Sequence, residues 1–346
     1  MNLAKRFAQN PLLTPADLAP SQPGLQIECL LNPGVFRFDG KIYLLVRVAE
    51  RPEQKPGKVS FPVMENGAVK ILEFDANDPD LNTSDPREFK YKGEAYLSTL
   101  SHLRLLSSDD GIHFYDTGFS LFGEGDHEAF GIEDCRVATM DDGLFVLTYT
   151  AVSRNGYGVG LRTTRDWETF EHHGMVISPA NKDCAIFEEK MGGKYLCLNR
   201  PSGVIVGGHY MWLSESSDLI HWGSHRCLAR PRPGMWDSER IGCGAAPIKT
   251  DQGWLEIYHG CDAQNRYCLG AMLLDLDDPF RVLARSSDPI MEPQEEYEQN
   301  GFFGQVVFTN GHIMNGDELT VFYGAADRVI CAAEVSISDI LKSLER

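Results

Sequence analysis

Between residues 130 and 139 the chain runs Phe130-Gly131-Ile132-Glu133-Asp134-Cys135-Arg136-Val137-Ala138-Thr139. Two carboxylates and a guanidinium stand at the mouth of a strand-like apolar run, where losing water makes every charge costly. Charged groups so placed mark a candidate site; the plainer alternative is a buried Glu/Asp–Arg ion pair that pins a loop. Polar residues recur at comparable places along the chain. They include Asn32, Arg47, Asn199-Arg200-Pro201, Asp237-Ser238-Glu239-Arg240, Tyr258-His259-Gly260 and Tyr323-Gly324-Ala325-Ala326-Asp327. Cations dominate the set: Arg47, Arg136, Arg200, Arg240 and His259 stand against Asp134 and Asp327. That balance suits an anionic ligand, because the arginine fork matches phosphate and carboxylate. Trp236, Tyr258 and Tyr323 suit stacking on a sugar ring, although such aromatics more often belong to a core.

The elements that must bring these residues together are short strands. A Gly-containing turn followed by an apolar strand recurs at Asp39-Gly40, Asp142-Gly143, Gly192-Gly193, Gln252-Gly253 and Asn315-Gly316-Asp317. Turns of this kind next to β-branched and aromatic runs read as hairpins. A second cassette recurs at 107–114, 163–170 and 216–222, with a weaker copy at 274–280, each an Asp turn leading to an aromatic residue. All-β repetition at a period of about 50–60 residues predicts a propeller, with one blade for each of five inner-strand cassettes. A pair of two-sheet sandwiches is the alternative, and the regular repetition disfavours it. The expectation is one catalytic domain over 1–346, with an N-terminal arm to about residue 30. Polar residues from Pro52 to Asp85 read as a loop-like elaboration of the first blade. A short amphipathic helix is expected at about 336–346, with Ser338 as its cap.

Composition narrows the class. With 346 residues and a formal net charge of −18, nucleic acid is a poor partner, since phosphate-backbone binding relies on lysine and arginine. Nine cysteines lie scattered with no CxxC pair, and no HExxH occurs, so no metal site is expected. Free thiols without a leader-like apolar run read as a cytoplasmic protein with no membrane span. Gly156-Tyr157-Gly158-Val159-Gly160 lacks dinucleotide spacing and opens no helix, and neither a G-x-S-x-G elbow nor a Walker A sequence is present.

The chain resembles glycoside hydrolase family 130, the mannoside phosphorylases and related β-mannosidases, nearly end to end. The resemblance is carried by Asn10-Pro11-Leu12-Leu13-Thr14-Pro15, the GIEDCR motif at 131–136, Ala180-Asn181-Lys182-Asp183 and Asn199-Arg200-Pro201. It continues through RPGMWDSERIGCGAAPIKTDQGWLEIYHG at 232–260, Asn265-Arg266-Tyr267, Asn300-Gly301-Phe302-Phe303-Gly304 and YGAAD at 323–327. The likeness is strongest to the branch acting on β-1,2-linked mannobiose and short β-1,2-mannans.

This resemblance implies a five-bladed β-propeller and a reversible, inverting phosphorolysis that yields α-mannose 1-phosphate, with inorganic phosphate as co-substrate and no cofactor. It implies Asp134 as the acid, delivering its proton through the mannose 3-hydroxyl. Arg136, Arg200, Arg240 and His259 match the phosphate pocket. Asn32 and Asp327 match positions expected to hold mannose hydroxyls, with Arg47 beside them; Asp237 and Tyr258 join them as candidate substrate contacts. Two departures stand out: Cys135 where many relatives carry proline, and Arg240 where other branches carry lysine. Hydrolytic members replace pocket cations with water-activating glutamates, and here Glu239 and Glu256 are the nearest candidates. A hydrolase, a phosphorylase of another β-mannoside linkage and a non-catalytic glycan- or protein-binding propeller are the competing readings. The N-terminal arm and C-terminal helix are candidates for contacts in a homo-oligomer.

Overall fold

The computed structural model describes residues 2–345 apart from Pro86 and Val204. Its architecture is all-β, with two short α-helices at Glu296–Gln299 and Ile337–Leu344 among the described residues. The frame is five antiparallel sheets that follow one another along the chain. The first runs Leu25–Phe38, Lys41–Pro52, Leu100–Ser108 and Tyr115–Leu121. The second is Ile132–Thr139, Phe145–Ser153, Gly156–Thr164 and Glu171–Ile177, and the third Asn181–Ile186, Tyr195–Pro201, Met211–Ser216 and Trp222–Ala229. In the fourth, Arg240–Cys243 and Ile248–Thr250 both pair with Gly253–Cys261, which leads on to Tyr267–Leu274 and Val282–Arg285. The fifth is Val307–Asn315, Glu318–Ala325 and Val329–Ser336, completed from the other end of the chain by Lys5–Arg6. That last pairing sets Lys5 opposite Glu334 and Arg6 opposite Ala333, so the two ends of the chain share one sheet.

Middle strands such as Phe145–Ser153 are buried on both faces, which explains their nearly unbroken apolar character. Their side chains meet between consecutive sheets. Leu45 and Leu103 pack with Leu147, Val146 and Leu161 with Ile186, Leu196 and Leu213 with Trp254, and Leu255 and Leu273 with Leu319 and Val321. The fifth sheet also packs on the first, through Phe322 and Ile330 against Leu44 and Val46.

Both repeats have a structural counterpart. Each Gly-containing turn joins the first and second strands of a sheet, so the cassette strand is second in its sheet rather than innermost. The edge strand before it was obscured because its pattern is interrupted. Register shifts fall between Leu31 and Gly34, Glu133 and Arg136, Lys182 and Ala185, and Thr309 and Gly311, where polar residues break the apolar run. The Asp turns join the third and fourth strands. Asp110 Oδ1 accepts from the Ile112 and His113 amides, Asp166 Oδ1 from those of Glu168 and Thr169, and Asp218 Oδ1 from those of Ile220 and His221.

Two expectations are corrected. The 52–85 segment is not a loop. Lys58–Glu65 pairs with Ala68–Asp75, and Leu81–Asn82, Glu88–Tyr91 and Glu94–Leu97 form a second small sheet. Phe61, Phe74, Phe89 and Tyr96 bind these sheets together, and Tyr96 meets Phe130. The proline inside Lys58–Glu65 and the half-exposed alternation of Ala68–Asp75 disguised the strands. In the C-terminal helix the cap is Ser336, whose Oγ accepts from the Asp339 amide at 3.1 Å, while Ser338 Oγ donates to Asp317 Oδ2. Ile337, Ile340, Leu341 and Leu344 form the buried stripe of that helix, and Arg346 lies outside the described residues. No helix among the described residues is long and apolar enough to cross a membrane.

Candidate active site

A pocket of about 380 Å³ opens where the edge strands and the ends of the second strands converge. Its polar wall includes Asn32, Arg47, Glu133, Asp134, Lys182 and Asp183, completed by Arg200, Arg240, Tyr267 and Asp327. Phe302, Phe303 and Phe308 form an apolar side.

The strand irregularities supply the reactive groups. Asp134 and Asp183 occupy equivalent interruptions of neighbouring edge strands, in Glu-Asp-Cys and Lys-Asp-Cys, and both adopt left-handed backbone with φ of 50° and 52°. Asn32 sits at the matching interruption of the first sheet and Asn310 at that of the fifth. Asp134 Oδ1 accepts from Asn32 Nδ2 and from Arg47 Nη1, each at 3.1 Å. Arg47 Nε donates to Ser101 Oγ at 2.9 Å, and its Nη2 lies 2.8 Å from Glu133 Oε1. Burial pushes the Asp134 carboxyl up, but Arg47, Lys182 and Arg136 outweigh it and hold the group below the ordinary carboxylate range. Asp327 goes the other way: burial pushes it up to about 6, with Arg47 opposing and Asp134 adding.

Asp183 is paired rather than poised. Its Oδ2 lies 2.8 Å from Arg200 Nε and 3.3 Å from His259 Nε2, and its Oδ1 is 3.4 Å from Arg136 Nη2. Burial would raise this carboxyl, yet Arg200, His259 and Arg136 hold it well below the usual range. The cluster depends on Gly242, where a Cβ would collide with both Asp183 Oδ2 and His259 Nε2. Among the described residues neither Lys182 nor Arg240 forms an ion pair. Lys182 lies over the Tyr157 ring, and Arg240 Nη1 donates to Tyr267 OH at 3.0 Å. These two charges, with Arg200 beside them, make one side of the pocket receptive to an anion.

The structure brings Asn32, Arg47, Asp134, Arg200, Arg240 and Asp327 into this pocket and leaves four expected residues outside it. Arg136 is buried and its donors are committed: Nε to Gly244 O at 2.7 Å, Nη1 to Asp134 O at 2.9 Å and Nη2 to Cys243 O at 2.9 Å. It braces Asp134 and Asp183 from beneath. His259 is fully buried below Asp183, and burial holds its imidazole down at about 4, so at neutral pH it is no cation. Asp237 and Tyr258 bind each other, Tyr258 OH donating to Asp237 Oδ2 at 2.8 Å, and Arg232 and Arg285 complete that cluster. Sequence reasoning did not single out Lys182, Asp183, Tyr267, Phe302 and Phe303, which also line the pocket. The signal for Lys182 and Asp183 was present: the x-Asp-Cys triplet of 133–135 recurs at 182–184. Of the two candidate water-activating glutamates, Glu239 is exposed and Glu256 is fully buried, accepting from the Gly244 amide at 2.9 Å; neither lines the pocket.

Comparison with known proteins identifies the family. The sequence profile of glycoside hydrolase family 130, described as β-1,4-mannooligosaccharide phosphorylase, matches residues 85–346. β-1,2-Mannobiose phosphorylase of Listeria innocua is 43% identical over 348 residues, 98% of each chain. A 1,2-β-oligomannan phosphorylase of Thermoanaerobacter is 38% identical over 71% of this chain and 82% of its own. The solved structure of β-1,2-mannobiose phosphorylase from Listeria innocua with β-1,2-mannobiose superposes with a TM-score of 0.94, at 42% identity, covering 100% of this chain and 99% of that one. The chain belongs to glycoside hydrolase family 130.

Proposed function

We propose that this protein is an inverting phosphorylase that cleaves β-1,2-linked mannobiose and short manno-oligosaccharides with inorganic phosphate, reversibly, giving α-mannose 1-phosphate. The observation that carries the reading is the union, in one pocket, of the buried candidate acid Asp134 with Lys182 and Arg240, two cations that no carboxylate pairs among the described residues, while Glu133 and Asp183 are taken up by arginines and Asp327 faces Asp134 as a candidate sugar contact. An inverting hydrolase needs a second carboxylate to activate water. Phosphate brings its own negative charge, so one acid and a cationic cradle suffice. Lys182, Arg200 and Arg240 hold the phosphate in line with the anomeric carbon, a positioning effect worth several kcal/mol. Asn32, Arg47 and Asp327 hold mannose hydroxyls, and Asp134 protonates the departing sugar through the mannose 3-hydroxyl. The phosphate also acts on the acid: a dianion beside Lys182 and Arg240 offsets the charges that keep Asp134 ionised, so the acid gains its proton as the complex assembles. No cofactor takes part in this scheme.

The five sheets are read as the blades of one propeller forming a single catalytic unit. What supports this is the cyclic packing, first on second through to fifth on first, and the fifth sheet's closure by Lys5–Arg6. The nine free cysteines, eight of them buried, support a reducing cytoplasm. The experiment is turnover of β-1,2-mannobiose with and without phosphate, resolving mannose 1-phosphate from free mannose. Phosphate-dependent mannose 1-phosphate is expected; free mannose at an equal rate without phosphate makes the protein a hydrolase instead.

A further inference from the structure

Three buried carboxylates outside the pocket share one arrangement. Glu128 accepts from Tyr149 OH at 2.7 Å, Arg162 Nη2 at 3.0 Å and the Glu124 amide at 2.8 Å, and lies 3.0 Å from His172 Nε2. Asp237 accepts from Tyr258 OH at 2.8 Å and Arg232 Nη2 at 2.8 Å, and also meets Arg285. Glu298 accepts from Tyr323 OH and Arg6 Nε, both at 2.7 Å, and from the Gln294 and Glu295 amides. In all three the tyrosine comes from the second strand of a sheet, an arginine comes from the third or fourth, and the carboxylate lies in the segment that leads into the edge strand of that same sheet, which begins at Ile132, Arg240 or Val307.

Each carboxylate is followed within a few residues by pocket wall: Glu128 by Glu133 and Asp134, Asp237 by Arg240, and Glu298 by Phe302, Phe303 and Val306. Between Glu128 and Asp134 the chain has little slack. The Gly131 amide donates to Glu128 O and the Phe130 amide to Val152 O, each at 2.9 Å. At Gly131, with φ of 102°, a Cβ would collide with the backbone of Ser101, whose hydroxyl receives Arg47. A buried carboxylate held by several donors is hard to displace, since any loss leaves a charge underpaired.

We propose that Glu128 is a positioning residue for Asp134, and that Asp237 and Glu298 serve Arg240 and the 302–306 wall in the same way. This rests on the phosphorylase reading above. Because each lock holds a different wall, the locks act on different kinetic parameters. Tyr149→Phe and Glu128→Gln lower kcat by about tenfold or more and leave the phosphate KM within about twofold, since the cradle sits on other strands. Gly160→Ala, whose Cβ would press on the Tyr149 ring, does the same without removing a polar group. Tyr323→Phe instead raises the mannobiose KM with kcat retained.

The test is steady-state kinetics of these variants beside the wild type, expressed per folded molecule. Should the buried variants fail to fold, His172→Gln, at the exposed outer end of the first lock, decides, with an expected kcat loss of about two- to threefold at unchanged KM. Unchanged kcat with only a lower Tm, or the same parameter moving in the Tyr149 and Tyr323 variants, overturns the proposal. A wild type that makes no mannose 1-phosphate overturns the phosphorylase reading itself, a separate result.

Discussion

Arg47 reaches Asp134 through Nη1, 3.1 Å from Oδ1, and is itself flanked by Glu133 at 2.8 Å. The acid of the proposed reaction is thus held ionised by a neighbour on the adjacent sheet, and must be released from that hold before it can give a proton.

Removing that neighbour has a defined sign. Arg47 favours the charged form of Asp134, so Arg47→Gln raises the pKa of the acid. A group that works protonated then stays protonated to higher pH, and the alkaline limb of kcat/KM moves up by about one to three pH units. Arg47→Lys retains the charge and leaves the limb nearly in place. The check is the pH profile of residual activity in both variants; an unmoved limb in Arg47→Gln means that Asp134 is not the titrating acid. Asp134→Asn, which keeps the shape, lowers kcat by about 10²–10⁴-fold.

The anion side of the pocket separates from the acid side most cleanly at Arg240, since Lys182 also helps to hold Asp134 ionised. Lys182→Met and Arg240→Met each remove a charge that no carboxylate neutralises, so binding of phosphate weakens while the mannose contacts persist. The expected result is a phosphate KM raised by about tenfold or more, with the mannobiose KM changed far less. Initial-rate kinetics varying each substrate separate the two; equal effects on both constants would place these cations on the sugar instead.

How much of this was legible in the sequence depends on how local each signal is. The turn-plus-strand cassettes and the Asp turns were readable because their hydrogen bonds close within a few residues, as in Asp166 with Glu168 and Thr169. Asp134 stood out because its charge interrupts an apolar run. Arg136, His259, Asp237 and Tyr258 carry the same residue types as the residues that line the pocket, and only burial and committed partners set them apart from it: Arg136 spends its donors on the carbonyls of Asp134, Cys243 and Gly244. Such partners lie up to 108 residues away, beyond what spacing reveals. Lys182 and Asp183 were hidden differently, since their repeat of the 133–135 triplet matters only once the two edge strands are known to be neighbours.

Asp327 sets activity against stability. Its carboxyl ionises at about 6 in the folded protein, against an ordinary 3.8, so the folded state binds a proton that the unfolded state has released between those values. Stability from this group is therefore present below about pH 3.8 and lost as pH rises through 6. Asp327→Asn removes the burden and raises unfolding free energy at pH 7 by up to about 3 kcal/mol, with no gain at pH 3.5. The same variant loses activity if Asp327 holds a mannose hydroxyl. Urea unfolding at the two pH values measures the first effect, and a destabilised Asn variant at pH 7 would refute it.

Two buried imidazoles contribute an acid sensitivity that begins well above the carboxylate range. Burial pushes His259 down to about 4, with Asp183 opposing, and His102 down to about 3, with Arg104 adding to the effect. Both are fully buried, so both fold in the neutral form. Unfolded, each titrates near 6.5, and between that value and the folded one the unfolded chain binds the extra protons. The stability these groups contribute is complete above pH 6.5 and falls as pH drops, by about 1.4 kcal/mol per pH unit for each histidine. Asp183, held well below the usual range, adds nothing to the loss until pH approaches 4, which separates the two causes. Asp327, and Glu256, which burial holds well above its ordinary range, gain stability over the same interval, so the histidine contribution is read by difference: lowering the pH from 7.0 to 5.0 should cost the urea midpoint less in His102→Gln, if it folds, than in the wild type. The same pH dependence in His102→Gln and in the wild type would mean that His102 is protonated in the folded state.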